Sequence, residues 1–199
     1  MSSPPVEPPG FPAEIPQPST LPELNAVMVR CTRCDLFQSR TQVVPGAGSH
    51  RARILFVGEA PGASEDREGV PFVGASGRLL DSMLQSVGIS RDDIFIANVV
   101  RCRPPRNRNP RAREIRACAG WLAEQIRIIG PDRVATLGRF ALQHFIPDGK
   151  ITQLQGVAQE IVYSERTLTV FPLLHPAAIL RSPNLKPEYQ RQFEILAGS

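Results

Sequence analysis

Lysine is nearly absent from this sequence: of 23 basic residues only Lys150 and Lys186 are lysine. The positive charge is arginine, whose planar fork suits paired contacts to phosphate oxygens. Long apolar runs are also missing, with none near the roughly 20 residues that a membrane span needs. The N-terminus lacks the charged-then-apolar pattern of a secretory leader, so a soluble cytoplasmic protein is expected. Neither G-x-x-x-x-G-K-[ST] nor G-x-G-x-x-G occurs, which argues against the familiar phosphate-cradling nucleotide sites. What remains is a 199-residue chain, 42% hydrophobic, long enough for one domain with a full core.

Residues 1–20 hold seven prolines and few large apolar side chains. Such a stretch buries too little surface to order itself, so a disordered tail is expected, followed by a single domain over 21–199. Within that domain "RILFVG", "DIFIANVV" (93–100) and "DRVATLG" (132–138) read as strands buried on both faces. "QEIVYSERTLTVFPLL" (159–174) reads as a hairpin feeding a last core strand. Between them Leu79, Leu80, Met83, Leu84 and Val87 share one helical face, as do Ile115, Cys118, Leu122, Ile126 and Ile129. "LPELNAVMVRC", "GRFALQHF" and "PEYQRQFEIL" complete the helices. Short apolar strands alternating with amphipathic helices predict an α/β fold with a parallel sheet covered on both sides. Ligands of such sheets bind beyond the carboxyl ends of the strands. That rim holds the loop after Val57, the segment around Asn98, and "LLHP" at 173–176.

The loop "GEAPGASEDREGVPFVG" (58–74) is the most unusual of the three. Glu59, Glu65, Asp66 and Glu68 would repel a phosphate. Gly58, Gly62, Gly69 and Gly74 permit close backbone approach, and Phe72 offers an aromatic face. A neutral, planar, hydrogen-bonding ligand fits this chemistry, although a lone phenylalanine is more often a core residue than a stacking platform.

Two further groupings carry chemistry. Cys31 and Cys34 form C-x-x-C, and Cys102 and Cys118 have 15 residues between them. A cysteine quartet in a cytoplasmic protein points to metal rather than disulfides. Tetrahedral zinc and a [4Fe–4S] cluster both take four thiolates, and spacing alone does not choose between them. Seven arginines fall between Arg101 and Arg116, against the single acid Glu114. That is the local density of a nucleic-acid contact, or else a solvated loop and helix face.

Together, "GEAPGASED", "GVPFVG", "ANVVRCRPP" followed by "NR" and "P", "LLHPAAILR" and the four cysteines resemble the family-4 uracil-DNA glycosylases, the bacterial and archaeal iron–sulfur type. The resemblance runs in order from about Leu21 to Phe193. It implies a three-layer α/β/α fold around a four-stranded parallel sheet. It also implies a structural [4Fe–4S] cluster on Cys31, Cys34, Cys102 and Cys118, and uracil-containing DNA, single- or double-stranded, as partner. By position, Phe72 would stack on a flipped-out uracil, Asn98 would read its edge and His175 would bond to O2. Glu59 and the backbone of Ala60 would lie near the sugar and the attacking water, and Glu65 would crowd out the methyl group of thymine.

Three features depart from the family pattern or qualify it. "HPAA" stands where a serine commonly follows His-Pro, which puts a hydroxyl contact to phosphate in doubt. "NRNP" replaces the usual "NRTP". The loop from Arg101 to Pro110 lacks the histidine of a related branch that links covalently to uracil, so hydrolysis is expected. No lysine lies in the motifs, and a lyase acting through a Schiff base needs an amine, so a monofunctional enzyme is expected; separately, it is expected to be a monomer. Arg101, Arg103, Arg106, Arg108 and Arg181 are the expected DNA contacts. Ile179 and Leu180 are either apolar wedges or ordinary core. The competing readings are an iron–sulfur DNA-binding protein without catalysis, a glycosylase for another deaminated base, a zinc-stabilised hydrolase acting on free nucleotides, and an iron–sulfur electron carrier.

Overall fold

Strand β1 (Ala47–Gly48), β2 (Ile54–Gly58), β3 (Phe95–Asn98), β4 (Arg133–Leu137), β5 (Gln159–Tyr163) and β6 (Arg166–Leu173) form one sheet in the order β1-β3-β2-β4-β6-β5. The structure, a computed structural model, describes Ile15 and residues 17–198. The expected four-stranded parallel sheet is its centre, β3-β2-β4-β6. An antiparallel strand extends it on each side, so the whole sheet is mixed and six-stranded. β5 comes from the hairpin read in the sequence. β1 was not anticipated, because two residues carry no periodicity.

Alternation along the buried strands divides the core into two layers. Leu55, Val57, Phe95, Ala97, Val134 and Val170 face one side. There they meet α1 (Leu21–Met28), α4 (Ala112–Ile129) and α5 (Arg139–Phe145) through Leu24, Met28, Trp121, Leu122, Ile126 and Phe145. Phe56, Ile96, Ala135 and Phe171 face the other side. They pack on the α3 (Ala75–Ser86) residues Leu80, Met83 and Leu84, and on Tyr189, Phe193 and Leu196 of α8 (Lys186–Gly198). The result is an α/β/α sandwich.

The described residues also include the short α-helices α2 (Ala63–Glu68), α6 (Ile151–Leu154) and α7 (Pro176–Arg181). α2 lies inside the stretch read as a loop. Its six residues are too few and too polar to show a helical face, and it ends at Gly69 in the left-handed region (φ 72°). The expected tail falls largely outside the described residues. Of its last part, Ile15 packs against the core, Pro18 O accepts from Arg127 Nη2 at 2.5 Å, and Thr20 caps α1. Among the described residues no helix is long and apolar enough to cross a membrane.

Candidate functional site

Three parallel strands end at one rim, and each delivers a polar side chain there. β2 leads to Glu59, β3 ends on Asn98, and β6 leads through Leu174 to His175, which caps α7. With Phe72 and Glu65 they line a cavity of about 520 Å³, which Arg108 and Arg181 also border. The size is that of a small-molecule site. Ala60, Ser76, Asn107 and Asn109 line it too; the last two come from the arginine loop.

Asn98 is 1% exposed, and its Oδ1 has no hydrogen-bond partner among the described residues. A buried amide oxygen left unpaired is costly and marks a place where a donor belongs. The Phe72 ring lies beside it, its centroid 5.8 Å from that of His175 at an interplanar angle of 32°. Phe72 is 5% exposed and so also counts as core; its backbone, at φ 54°, is in the left-handed region. Non-glycine residues rarely hold that conformation, and sites of function are where it persists. Arg91 secures it: Nη1 donates to Phe72 O at 3.0 Å and to Asp81 Oδ1 at 2.7 Å, and Nη2 donates to Pro71 O. Gly77 of α3 completes the grip, since a Cβ there would lie 1.8 Å from Phe72 O.

His175 Nδ1 accepts from Ala177 N at 3.1 Å. That bond requires Nδ1 to be unprotonated and so places the proton of the neutral ring on Nε2. Burial, with help from Arg181, pulls the imidazole down to about 4, so at neutral pH the ring is an uncharged donor. Glu59 is half-buried, and desolvation raises its carboxyl while Arg139 opposes the shift. Two other acids of the loop, Glu65 and Asp66, are committed to structure. Glu65 accepts from Gly62 N, Val73 N and Gly74 N at 2.9–3.0 Å. Asp66 is buried and accepts from Thr41 N and Thr41 Oγ1.

The four cysteines line one small cavity with Met28, Arg40, Arg101 and Trp121. All are free thiols. Arg40 Nη1 donates to Cys102 Sγ at 3.2 Å and Arg101 N to Cys118 Sγ at 3.3 Å. Burial raises the Cys34, Cys102 and Cys118 thiols, Cys118 to about 12. Among the described residues no three His, Cys, Asp or Glu side chains converge on a position for one metal ion. The donor set nonetheless suits a group with four thiolate corners: four sulfurs around one space, with N–H donors already directed at two of them.

The arginines separate by environment. Arg101 does not reach the surface, contrary to its expected DNA contact. It is 1% exposed and donates to Asn98 O and to Gln125 Oε1. Arg108 borders the cavity and pairs with the buried Glu114 at 2.6 Å, stapling its own loop. Arg103 donates to Asn107 Oδ1, whereas Arg106 and Arg181 are exposed. Ile179 is core, 2% exposed among the Phe56 and Leu80 group, and so is no wedge; Leu180 beside it is 47% exposed. Arg40, Arg91 and Gln125 were missed in the sequence because they belong to no motif. Only Gly77, a glycine inside a helical pattern, carries a signal of close approach.

A three-layer sandwich whose parallel strands deliver an unpaired amide, a neutral imidazole and an aromatic ring to one cavity defines a protein built to hold a planar polar ring. Residues 45–196 match the family model described as the uracil DNA glycosylase superfamily. A type-4 uracil-DNA glycosylase of Sulfurisphaera tokodaii is 44% identical over 181 residues, covering 88% of this chain and 82% of that protein. One of Archaeoglobus fulgidus is 40% identical, covering 88% and 90%, and one of Thermotoga maritima is 46% identical, covering 77% and 79%. The chain belongs to the type-4 uracil-DNA glycosylase family.

Proposed function

We propose that the protein removes uracil from DNA by hydrolysing its N-glycosidic bond, leaving an intact abasic strand. The observation that carries this is the unpaired Asn98 Oδ1, buried beside an aromatic ring in a cavity with room for a base and its sugar. Uracil supplies the missing donor at N3–H, and the Asn98 amide can donate back to O4. Cytosine presents the opposite pattern at both places.

The chemistry follows from charge. A base within a duplex must first be extruded, at a cost of a few kcal/mol, and Phe72 offers a stacking surface for it. Cleavage of C1′–N1 leaves its electron pair on uracil, spread from N1 to O2, and a cation-like sugar. His175 Nε2–H, neutral and fixed in tautomer, donates to O2 as that charge develops, the strategy of an oxyanion hole. Glu59 faces the sugar side. A carboxylate made more basic by burial is a better acceptor for a proton of the attacking water, whose oxygen bonds to C1′. Glu65, immobilised by three backbone amides, is a wall that cannot yield to a methyl group on C5. Arg103, Arg106, Arg108 and Arg181 supply phosphate attraction, and Leu180 is the remaining wedge.

The same proposal has Cys31, Cys34, Cys102 and Cys118 hold a [4Fe–4S] cluster. It would supply a cross-link between the α1 end, the arginine loop and α4, and no redox step. The protein would act as a monomer in the cytoplasm, on the DNA of the nucleoid. The test is a cleavage assay on end-labelled DNA carrying one uracil, with thymine and cytosine controls, developed with alkali. Breakage at uracil alone, and only after alkali, is the expected result. No breakage with the cluster intact would leave a DNA-binding protein or a different damaged base, and nicking without alkali would contradict the monofunctional mechanism.

A further inference from the structure

Arg101 is the largest fully buried side chain among the described residues. A guanidinium removed from water demands compensation, yet both of its side-chain acceptors are neutral: Asn98 O, and Gln125 Oε1 at 2.5 Å. No carboxylate pairs with it among the described residues. Anionic character is available from one direction. The Arg101 backbone N–H donates to Cys118 Sγ, Cys102 follows it in the chain, and Arg101 itself lines the cysteine cavity. Gln125 is held at its other end too, its Nε2 donating to Pro45 O at 2.6 Å.

Asn98 poses the matching problem from the other side. Its side-chain oxygen must stay unpaired to read a base, so no protein donor can hold it in place. Its position has to come from the backbone. One anchor is the strand register, with Gly58 opposite Asn98 and Val99 N donating to Gly58 O at 2.9 Å. The other is Arg101, which grips the Asn98 carbonyl.

We propose that Arg101 is a positioning residue that couples the four-cysteine site to base reading: its guanidinium fixes the Asn98 carbonyl, and its charge is balanced by the thiolates of the occupied cysteine site. The inference rests on the glycosylase function and the cysteine-held cluster proposed above. It gives the cysteines an effect on the pocket without any electron transfer. It also explains why an arginine within the basic loop points away from DNA.

The test uses full-length holoprotein with Arg101→Lys, Arg101→Met, Asn98→Ala and the double variant Asn98→Ala/Arg101→Lys. Single-turnover uracil release, DNA Kd at several salt concentrations, and the visible absorbance of the cluster are measured for each. Lysine keeps the charge but cannot span both acceptors. Arg101→Lys is expected to retain the absorbance and DNA affinity while the release rate falls about tenfold or more. In the Asn98→Ala background the same change is expected to cost little further, since residues acting through one another are non-additive. Arg101→Met is expected to lose absorbance faster than wild type under a chelator.

An unchanged release rate in Arg101→Lys, or an equal further loss on Asn98→Ala, would overturn the positioning role. A weaker Kd with a shallower salt slope in Arg101→Met would place Arg101 on a phosphate instead and overturn the proposal as well. Should Arg101→Met fail to fold, the lysine variant and the double variant decide. If wild-type protein itself released no uracil, the proposed function would fall, and the absorbance comparison would still decide the pairing of Arg101 with the thiolates.

Discussion

Asn98 and Phe72 meet above Gly58: a Cβ built on that glycine would lie 2.5 Å from Asn98 Oδ1 and 2.6 Å from the tip of the Phe72 ring. The side chain proposed to read the base and the ring proposed to stack on it are thus packed through the absence of a third side chain. Real Cβ contacts are not this short, so Gly58→Ala must displace one or both. We expect the variant to fold, destabilised by about 1–3 kcal/mol, and to lose about 10²-fold in uracil release, as misplacement by an ångström can cost that much. Single-turnover rates together with urea midpoints check it. Near-wild-type release would show that Asn98 and Phe72 need not hold these positions.

His175→Ala removes the donor proposed for O2. Loss of one oxyanion donor typically costs about 10²–10³ in rate, and DNA affinity should be little changed. Because the ring is held neutral down to about 4, activity should show no titration near the ordinary histidine value of about 6.5. The acid limb should instead report Glu59, whose carboxyl is raised by burial, and protonation there should remove activity as pH falls. A pH–rate profile with a step near 6.5 that vanishes in His175→Gln would contradict the assigned tautomer.

Stability should also depend on pH through the buried histidines. His144 and His175 are both pulled by burial to about 4. Between 6.5 and 4 the unfolded chain binds protons at these positions that the native state does not, so stability falls as pH falls through this window. Above 6.5 both states are neutral there and the contribution is flat. Urea unfolding at pH 7 and pH 5 should show the loss, and His175→Gln should reduce it by about one proton's worth. An unchanged slope in that variant would mean that His175 titrates normally.

Arg91 holds Phe72 from behind. Arg91→Ala removes both carbonyl contacts and the Asp81 pair, leaving a left-handed phenylalanine with only the Gly77 approach to fix it. We expect a slower uracil release by about tenfold or more, with the cluster absorbance retained. Asp81→Asn should have a smaller effect, because the pair is partly exposed and such pairs contribute little. An Arg91→Ala protein with full activity would show that packing alone sustains the Phe72 turn.

Much of the architecture was readable in advance because buried parallel strands are continuous apolar runs and their helices are amphipathic. Ile54–Gly58, Phe95–Asn98 and Arg133–Leu137 fall within the expected strands. The elements without such signals were not readable: β1 has two residues, and α2 has six, five of them polar, with Glu65 capping the helix while it also lines the cavity. The same ambiguity affected the arginines. A charged residue in a basic loop reads as solvent-facing, and nothing local distinguishes Arg101, enclosed beneath Asn98, from the exposed Arg106. Ile179 and Leu180 are neighbours of one chemistry, and only the packing of α7 sends one inward and the other out.

By itself the sequence determined the order of β2 to β6 and of α1, α3, α4, α5 and α8, the rim at which polar residues gather, and which residue types gather there. These are properties of periodicity and spacing along the chain, which local chemistry dictates. Tertiary structure alone decided the protonation of His175, the unpaired state of Asn98, the strained turn of Phe72 and the fate of each arginine. Each depends on groups brought close from distant parts of the chain, and on the water their burial excludes.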